Sequence, residues 1–315
     1  MNSTNHIQVV GGSAVSCGLD ATFIERHRPG RREGSVAVPE VSRPLLRWFT
    51  WYSCRYVRRH FHSLRVSRLG LPPESKLPLV IYSNHASWWD PLVGLVLKSE
   101  CFAGRRLYAP MDAAMLERYK LFGRLGFFGV EQGSRRGAVQ FLRAAEAILQ
   151  SPESLLAITP QGRFADVRER PVRFEAGLGH LAARVEHALF VPCVAEYVFW
   201  EERLPEILVR FGEPVEVRHE PAAALTADFW TRQFEQKLEA AQDALAIESR
   251  RRDPAAFQTL MRGGAGQGGI YDWWRAAKAK LRGEKFNREH GRKSTSKSWP
   301  LSPWCSLPMR GGCTS

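Results

Sequence analysis

The sequence predicts an α/β fold with a central, mostly parallel sheet flanked by helices and preceded by an N-terminal amphipathic helical segment. Short apolar runs of strand length alternate with segments of helical period between residues 77 and 211. This alternation is typical of a parallel sheet covered by helices. The length of 315 residues fits one main core with appendages. In such sheets, functional groups gather at the carboxyl ends of the strands.

The elements can be placed in order along the chain. The candidate strands are 77–82, 155–159, 189–195 and 207–211, and the candidate helices begin at Pro91 and cover 136–150, 179–187 and 226–252, the last with Thr226 as N-cap. These elements divide the chain into a mobile leader (1–41), an amphipathic helical segment (42–70), a main domain (71–220), a helical extension (221–262) and a basic, disordered tail (263–315).

The charge balance implies an anionic partner. Lysine and arginine number 45 against 32 acidic residues, a formal net charge of +13. Nucleic acid, acidic lipid headgroups and acidic metabolites all suit that charge. No apolar run approaches the roughly 18–20 residues that a membrane span needs, and the first residues do not resemble a secretory signal. Six scattered cysteines without a C-x-x-C pair indicate a reduced, cytosol-facing protein.

The amphipathic segment combines aromatic residues with arginines. Between residues 42 and 69 there are seven arginines, six aromatic residues and no acids. At about 100° per residue, one side of a helix would collect Leu45, Trp48, Phe49, Tyr52 and Tyr56. Such a helix suits a membrane interface, where rings lie at headgroup depth and arginines meet lipid phosphate. It also suits a helix packed on the core with a solvated arginine face that includes Arg65, and both can hold.

A histidine and an aspartate follow the first candidate strand. His85 comes just after the apolar run, and Asp90 lies five residues later, before Pro91. Across a strand-to-helix turn the carboxylate can reach the imidazole, fix its tautomer and make His85 a competent general base. Asp90 has a rival role, because an aspartate before proline is also a good helix N-cap. The turn at 159–163 follows another strand and belongs to the same edge.

Four blocks of sequence together resemble one protein family. Asn84-His85-x-Ser87-x-x-Asp90 is similar to the first motif of the glycerophospholipid acyltransferase superfamily, the PlsC-like lysophosphatidic acid acyltransferases. Blocks at 126–138, at 159–164 with 174–177, and at 191–194 resemble the second, third and fourth motifs, in the family's order. The resemblance covers residues 75–215 and implies a glycerol-3-phosphate acyltransferase-like fold.

The resemblance also implies an activity. A fatty acyl group would pass from acyl-CoA or acyl carrier protein to the hydroxyl of a lysophospholipid, lysophosphatidic acid by default. Residues 71–220 would be the catalytic domain, with His85 as general base and Asp90 orienting it. Trp88 and Trp89 could line an acyl entrance, or could pack as buried indoles against the sheet.

The third motif would supply substrate-binding groups. Gly162 and its turn would bring backbone N–H groups close to the reacting oxygens, and Arg163 would bind phosphate through its guanidinium fork. Each residue also has an alternative, purely structural role. Gly162 suits a tight turn, and Arg163 suits a surface ion pair with Asp166 or Glu169.

Two positions depart from the family pattern. Gln161 stands where the family has glutamate, and Gln132 stands where it usually has arginine, although Arg135 and Arg136 lie close by. In the family these positions serve the phosphate end of the acceptor, so the resemblance implies that Gln161 and Arg135 are among the substrate-binding residues. A lost arginine there removes hydrogen bonds of about 1.5–3 kcal/mol. A non-phosphate lipid alcohol or a glycolipid therefore competes with lysophosphatidic acid as acceptor.

Neither a metal nor a nucleotide cofactor is predicted, because the histidines form no metal-ligand pattern and no Walker or Gly-x-Gly-x-x-Gly loop follows a strand. The expected location is peripheral, on the cytoplasmic face of a membrane, with an anionic bilayer surface as partner and no nucleic acid. Two other hypotheses stay open. A nucleic-acid-binding protein would explain the charge but not the four blocks, and Gln161 and Gln132 permit a catalytically inactive lipid binder.

Overall fold

A sheet of nine strands forms the centre of the residues that the computed structural model describes, 38–219 and 225–265. The strands are β1 Ser63–Ser67, β2 Leu79–Ser83, β3 Arg106–Asp112, β4 Phe127–Val130, β5 Ser154–Ile158, β6 His187–Val198, β7 Glu206–Phe211, β8 Val215–Arg218 and β9 Phe257–Arg262. The helices are α1 Arg43–His60, α2 Asp90–Cys101, α3 Ala113–Arg118, α4 Arg135–Leu149, α5 Gly177–Ala182 and α6 Ala227–Arg251, with short 3₁₀ turns at Lys120–Leu125 and Pro254–Ala256. The predicted leader and tail lie outside these residues except for 38–41 and 263–265.

The order of strands across the sheet is β4-β3-β5-β2-β6-β7-β1-β9, and β8 pairs with β6. Neighbours are parallel from β4 to β6 and again between β7 and β1. The pairs β6–β7, β6–β8 and β1–β9 are antiparallel. The prediction of an α/β fold with a mostly parallel sheet flanked by helices is confirmed.

Strand β6 changes partners along its length. Its first half runs parallel to β2, ending with the pair Ser83 and Cys193. Its second half, from Cys193 to Val198, runs antiparallel to β7 and extends beyond the last paired residue of β2. The end of β6 therefore lies beside the residues that follow β2, which are those of the predicted first motif.

The two faces of the sheet bury different sets of helices, because successive side chains of a strand point to opposite faces. Val80 and Tyr82 of β2 belong to a core layer that includes buried residues of α4, α5 and α6. Leu79 belongs to a second layer that includes α1 and α2. Both layers contain fully buried side chains of β2, so that strand is central to the fold.

Local sequence explains where the main helices begin. Pro44 lies in the first turn of α1, where its missing N–H is tolerated. The Ser134 hydroxyl accepts a hydrogen bond from the Gly137 N–H at 2.9 Å and caps α4. Thr226 caps α6 in the same way through the Phe229 N–H at 3.2 Å, which confirms the predicted start of that helix.

Helix α1 packs on the core through small side chains and through two of its rings, since Phe49 and Tyr56 are partly buried against the same core layer. Its buried residues are Thr50, Ser53, Cys54 and Val57. Trp48 and Tyr52 are 49% and 39% exposed, and their rings stack with centroids 6.1 Å apart. The helix is thus packed on the core, as one of the two predictions requires, and it presents other aromatic rings at the surface. A position at a membrane interface stays a prediction.

The helical prediction for residues 42–70 is wrong in its second part. Helix α1 ends at His60, and Ser63–Ser67 is a fully buried strand between β7 and β9. Arg65, which the helical pattern assigned to a solvated face, is 5% exposed and donates from Nε to Glu206 at 2.9 Å. A buried acidic partner, distant in sequence, therefore overrides the local helical pattern.

Two smaller differences concern the predicted boundaries. Helix α5 covers Gly177–Ala182, and His187, predicted to end that helix, begins β6. Strands β1 and β9 belong to the central sheet although they lie outside residues 71–220. The sheet is thus completed by chain segments on both sides of the predicted main domain.

Candidate active site

The two predicted motif segments meet at the carboxyl ends of adjacent parallel strands. Tyr82 of β2 pairs with Ile158 of β5, so the residues that follow these strands emerge side by side. The His85 N–H donates to Gln161 Oε1 at 3.3 Å, and the His85 carbonyl accepts from the Ala165 N–H at 2.9 Å. The sheet register thereby joins the first-motif loop to the third-motif turn.

The structure brings His85 and Asp90 together, as the strand-to-helix turn predicted. His85 Nδ1 lies 2.7 Å from Asp90 Oδ2, and the two side chains are 22% and 13% exposed. Because a carboxylate only accepts hydrogen bonds, we assign the proton of a neutral imidazole to Nδ1. The lone pair is then on Nε2, the atom that a general base uses.

Asp90 does not act as the side-chain cap of α2. The cap residue is Trp89, which makes no side-chain capping bond, and Asp90 is the first helical residue. The Asp90 carboxylate instead accepts from the Ser87 N–H at 3.0 Å, while the Asp90 N–H donates to the Ser87 carbonyl at 3.1 Å. These bonds close the turn that folds the chain back toward His85.

Two further residues hold this loop, and sequence reasoning gave neither of them a role. The Tyr197 hydroxyl donates to Asp90 Oδ1 at 2.5 Å. The Asn84 side chain exchanges two hydrogen bonds with the backbone of Ala195, at 2.9 and 3.0 Å. Burial and the adjacent Asp90 charge raise the pKa of Tyr197 well above its ordinary value, so the neutral phenol is the donor. Both partners lie on β6, more than a hundred residues away, where no local signal indicates them.

The third-motif turn is tight. Gly162 has a positive φ of 66°, which strains any residue with a side chain, and its N–H donates to the Thr159 carbonyl at 3.1 Å. Gln161 is buried and its amide oxygen contacts the His85 backbone. The tight-turn alternative therefore describes Gly162, since its own N–H is already used within the turn.

Arg163 lies close to the site in sequence but is engaged elsewhere. Its exposed guanidinium forms an ion pair with Glu169, which raises the pKa of Arg163 through a side-chain hydrogen bond. Asp166 pairs instead with Arg168 at 2.7 Å. Of the two ion pairs that the sequence allowed for Arg163, the structure has the one with Glu169.

Arg135 is separate from the His85–Asp90 pair. It is the first residue of α4, after β4, and is exposed. Strand β4 lies three positions from β2 in the sheet, about 14 Å at the usual spacing. Arg135 therefore shares the carboxyl edge of the sheet but does not contact the pair, and its substrate-binding role stays a prediction.

One aromatic ring packs against the imidazole, and two tryptophans lie between His85 and Asp90 in the sequence. The Phe164 ring lies 4.2 Å from that of His85 between centroids and is 59% exposed. Trp89 packs against Phe61 at 4.8 Å, whereas Trp88 is 65% exposed. The alternative of two buried indoles is therefore wrong for Trp88.

Within residues 38–219 and 225–265, no group of three or more His, Cys, Asp or Glu side chains could hold a metal ion. None of the helices in that part of the chain is long and apolar enough to cross a bilayer. Among the described residues, Cys101 and Cys193 are free thiols, and burial raises the pKa of Cys101 to about 12.

Comparison with known proteins adds one likeness. No protein-family model matches the chain, and no curated protein matches it. Among solved structures, the chain is similar to the 1-acyl-sn-glycerophosphate (LPA) acyltransferase PlsC from Thermotoga maritima. The identity is 14% and the TM-score 0.45, over 66% of this chain and 81% of that one. A likeness at that level leaves the activity to be argued from the residues themselves.

Proposed function

We propose that the protein is an O-acyltransferase that moves a fatty acyl group from acyl-CoA or acyl carrier protein to the hydroxyl of a lysophospholipid. The observation that carries the proposal is the 2.7 Å contact between His85 Nδ1 and Asp90 Oδ2 at the carboxyl edge of the sheet. It leaves Nε2 to accept the proton of an alcohol, so no serine or cysteine nucleophile is required.

The reaction would move one proton from the acceptor hydroxyl to His85 and then to the leaving thiol. The acceptor hydroxyl gives its proton to His85 Nε2 while its oxygen bonds to the thioester carbonyl carbon. The C–S bond then breaks, and the imidazolium gives the proton to the leaving thiolate. Asp90 stays ionised and stabilises the imidazolium between these steps. Stabilisation of the oxyanion would require N–H groups other than that of Gly162, which donates to Thr159.

The acceptor has two candidate classes. A phosphate-bearing acceptor such as lysophosphatidic acid would use Arg163 and Arg135, and Arg163 would first have to exchange Glu169 for the phosphate. A non-phosphate lipid alcohol or glycolipid is the second candidate, favoured by the existing Arg163–Glu169 pair and by the uncharged Gln161. Neither acceptor calls for a metal or a redox cofactor.

A peripheral position on the cytoplasmic face of a membrane is part of the proposal. Trp48 and Tyr52 are exposed on α1, and Arg55 and Arg59 are exposed on the same helix. At 100° per residue these four side chains fall within about 60° of one another. Rings at headgroup depth and arginines near lipid phosphate support binding to an anionic bilayer, with each arginine contributing about 1 kcal/mol.

Acyl transfer by wild type and His85→Ala tests the activity. Labelled acyl-CoA and acyl carrier protein would each be offered with lysophosphatidic acid, other lysophospholipids, lipid alcohols and glycolipids. We expect a labelled product that falls by roughly 10²–10⁴-fold in His85→Ala. His219→Ala, at an exposed position after β8, is the matched control and should keep full activity. Absence of product with every pair would favour an inactive lipid binder.

Vesicle binding tests the membrane part separately. Trp48→Ser with Arg55→Glu should weaken binding to vesicles that contain anionic phosphatidylglycerol much more than binding to neutral phosphatidylcholine, because only the arginine term depends on lipid charge. Arg250→Glu makes a charge reversal on α6, which packs on the opposite face of the sheet, and should have little effect. Equal losses in both variants would contradict a specific role of α1. Salt-sensitive binding of RNA in preference to vesicles would favour the nucleic-acid hypothesis.

A further inference from the structure

Asp90 uses both of its carboxylate oxygens, and only one of them faces the first motif. Oδ2 accepts from His85 Nδ1 at 2.7 Å and from the Ser87 N–H at 3.0 Å. Oδ1 accepts from the Tyr197 hydroxyl at 2.5 Å. The rotation of the carboxylate about its Cβ–Cγ bond is therefore fixed from two sides, by the loop and by β6.

Tyr197 is itself held by the sheet. It pairs with Ile207 in the antiparallel half of β6, and Ala195, two residues earlier, is bound by Asn84. Ala195 contributes backbone groups and Tyr197 a side-chain hydroxyl, so two nearby positions of β6 anchor the first-motif loop. The Tyr197 ring also lies 5.8 Å from that of Phe61 between centroids. These contacts hold the Tyr197 ring beside the first-motif loop, where its hydroxyl donates to Asp90.

We infer that Tyr197 is a positioning residue that acts through Asp90 to hold His85 in the orientation a general base requires. The catalytic role of Tyr197 rests on the proposed function, whereas its contact with Asp90, and the contact of Asp90 with His85, do not. The Tyr197 hydroxyl takes part of the negative charge of the carboxylate. Without it, more of that charge faces the imidazole and the imidazolium is favoured.

Four other groups near Asp90 and His85 do not have the effect on the Asp90 carboxylate that we assign to the Tyr197 hydroxyl. On β6, Cys193 lies near Asp90, but burial raises the pKa of its thiol, which therefore stays neutral. From α1, His60 contacts Trp89 rather than Asp90, with ring centroids 5.2 Å apart. From the third-motif turn, the Gln161 amide reaches only the His85 backbone. Arg163, on the same turn, is paired with Glu169.

Tyr197→Phe removes the hydroxyl and keeps the ring. Titration of the His85 imidazole by NMR, on the full chain without substrate, should show a midpoint at higher pH than in wild type. The acid limb of kcat/KM should move to higher pH by the same amount. At the plateau, kcat should fall about fivefold to tenfold, the rate equivalent of one hydrogen bond, with KM unchanged.

Tyr82→Phe is the matched control. The Tyr82 hydroxyl on β2 is also buried, yet it has no hydrogen-bond partner among the described residues. Its removal should leave the imidazole titration and the pH profile as in wild type. An unchanged His85 titration in Tyr197→Phe would overturn the inference, because a purely structural hydroxyl would change stability alone.

A second variant covers the case in which Tyr197→Phe does not fold. Site-specific 3-fluorotyrosine at position 197 keeps the hydroxyl and makes it a stronger donor, so the His85 midpoint should move to lower pH. A shift to higher pH, or none, would contradict the inference. If the titrations shift as expected but wild type transfers no acyl group, the proposed function fails and the link from Tyr197 to His85 stands.

Discussion

The loop that carries His85 and the loop that carries Arg163 are held in different ways. Residues 84–90 are tied to the sheet by long-range bonds from Asn84 and to β6 by the contact between Asp90 and Tyr197. The charged side chains of residues 163–169 instead pair with one another at the surface, and the Ala165 N–H joins this loop to the His85 carbonyl. The difference indicates that proton transfer is preorganised, whereas recognition of an anion would require rearrangement of side chains.

The largest expected effect on activity comes from the loop at residues 84–90, which carries His85 and Asp90. Asp90→Asn keeps the size of the side chain but removes the charge that orients and stabilises the imidazolium, so kcat should fall on the order of 10²–10⁴-fold. Steady-state acyl transfer with KM measured in parallel checks it. Asp253→Asn is the control, because Asp253 is exposed and asparagine is an equally good cap for the turn at Pro254–Ala256. Near-wild-type activity in Asp90→Asn would remove the contrast between the loops.

A smaller effect, on stability, is expected from the hydrogen bonds between Asn84 and the backbone of β6. Asn84→Ala leaves the N–H and carbonyl of Ala195 without their partners, and the free energy of unfolding should fall by about 1–3 kcal/mol. Urea unfolding measures that loss. Gln140→Ala, exposed on α4, should stay within about 0.5 kcal/mol of wild type. Equal stability of the two variants would mean that the loop is held by other contacts.

The smallest effect is expected from the loop at residues 163–169, whose charged side chains pair with one another. Glu169→Gln releases Arg163, so KM for a phosphate-bearing acceptor should fall a few-fold, as befits an exposed pair. Asp166→Asn makes the same charge change on the same loop but breaks only the pair with Arg168, and KM should not change. Arg163→Gln should raise KM. If none of the three variants changes KM, Arg163 does not bind the acceptor.

The parts of the site that were predicted correctly are local in sequence. His85 and Asp90 are five residues apart, and the strand before them and Pro91 after them mark the turn that joins them. The alternation of strands and helices likewise predicted the fold class. In each case the pattern and its structural consequence lie within a few residues of one another.

The parts that were missed depend on distant partners. A strand pattern at 189–195 does not reveal that β6 extends to Val198 and brings Tyr197 to Asp90. The arginine-rich pattern through Arg65 predicted a solvated helical face, because Glu206 and Thr259 are far away in sequence. Charge and periodicity describe one segment at a time, whereas these contacts follow from how the strands are ordered.

The partner change within β6 has a consequence for insertions and deletions. One extra residue between Cys193 and Ala195 would reverse the edge to which the Ala195 backbone groups point and the face to which the Tyr197 side chain points. Both contacts with the loop would therefore be lost together. The connection at 199–205 joins β6 to β7 outside the paired residues, and added length there would change neither anchor. Tolerance to a change in length should therefore drop sharply from one side of Val198 to the other.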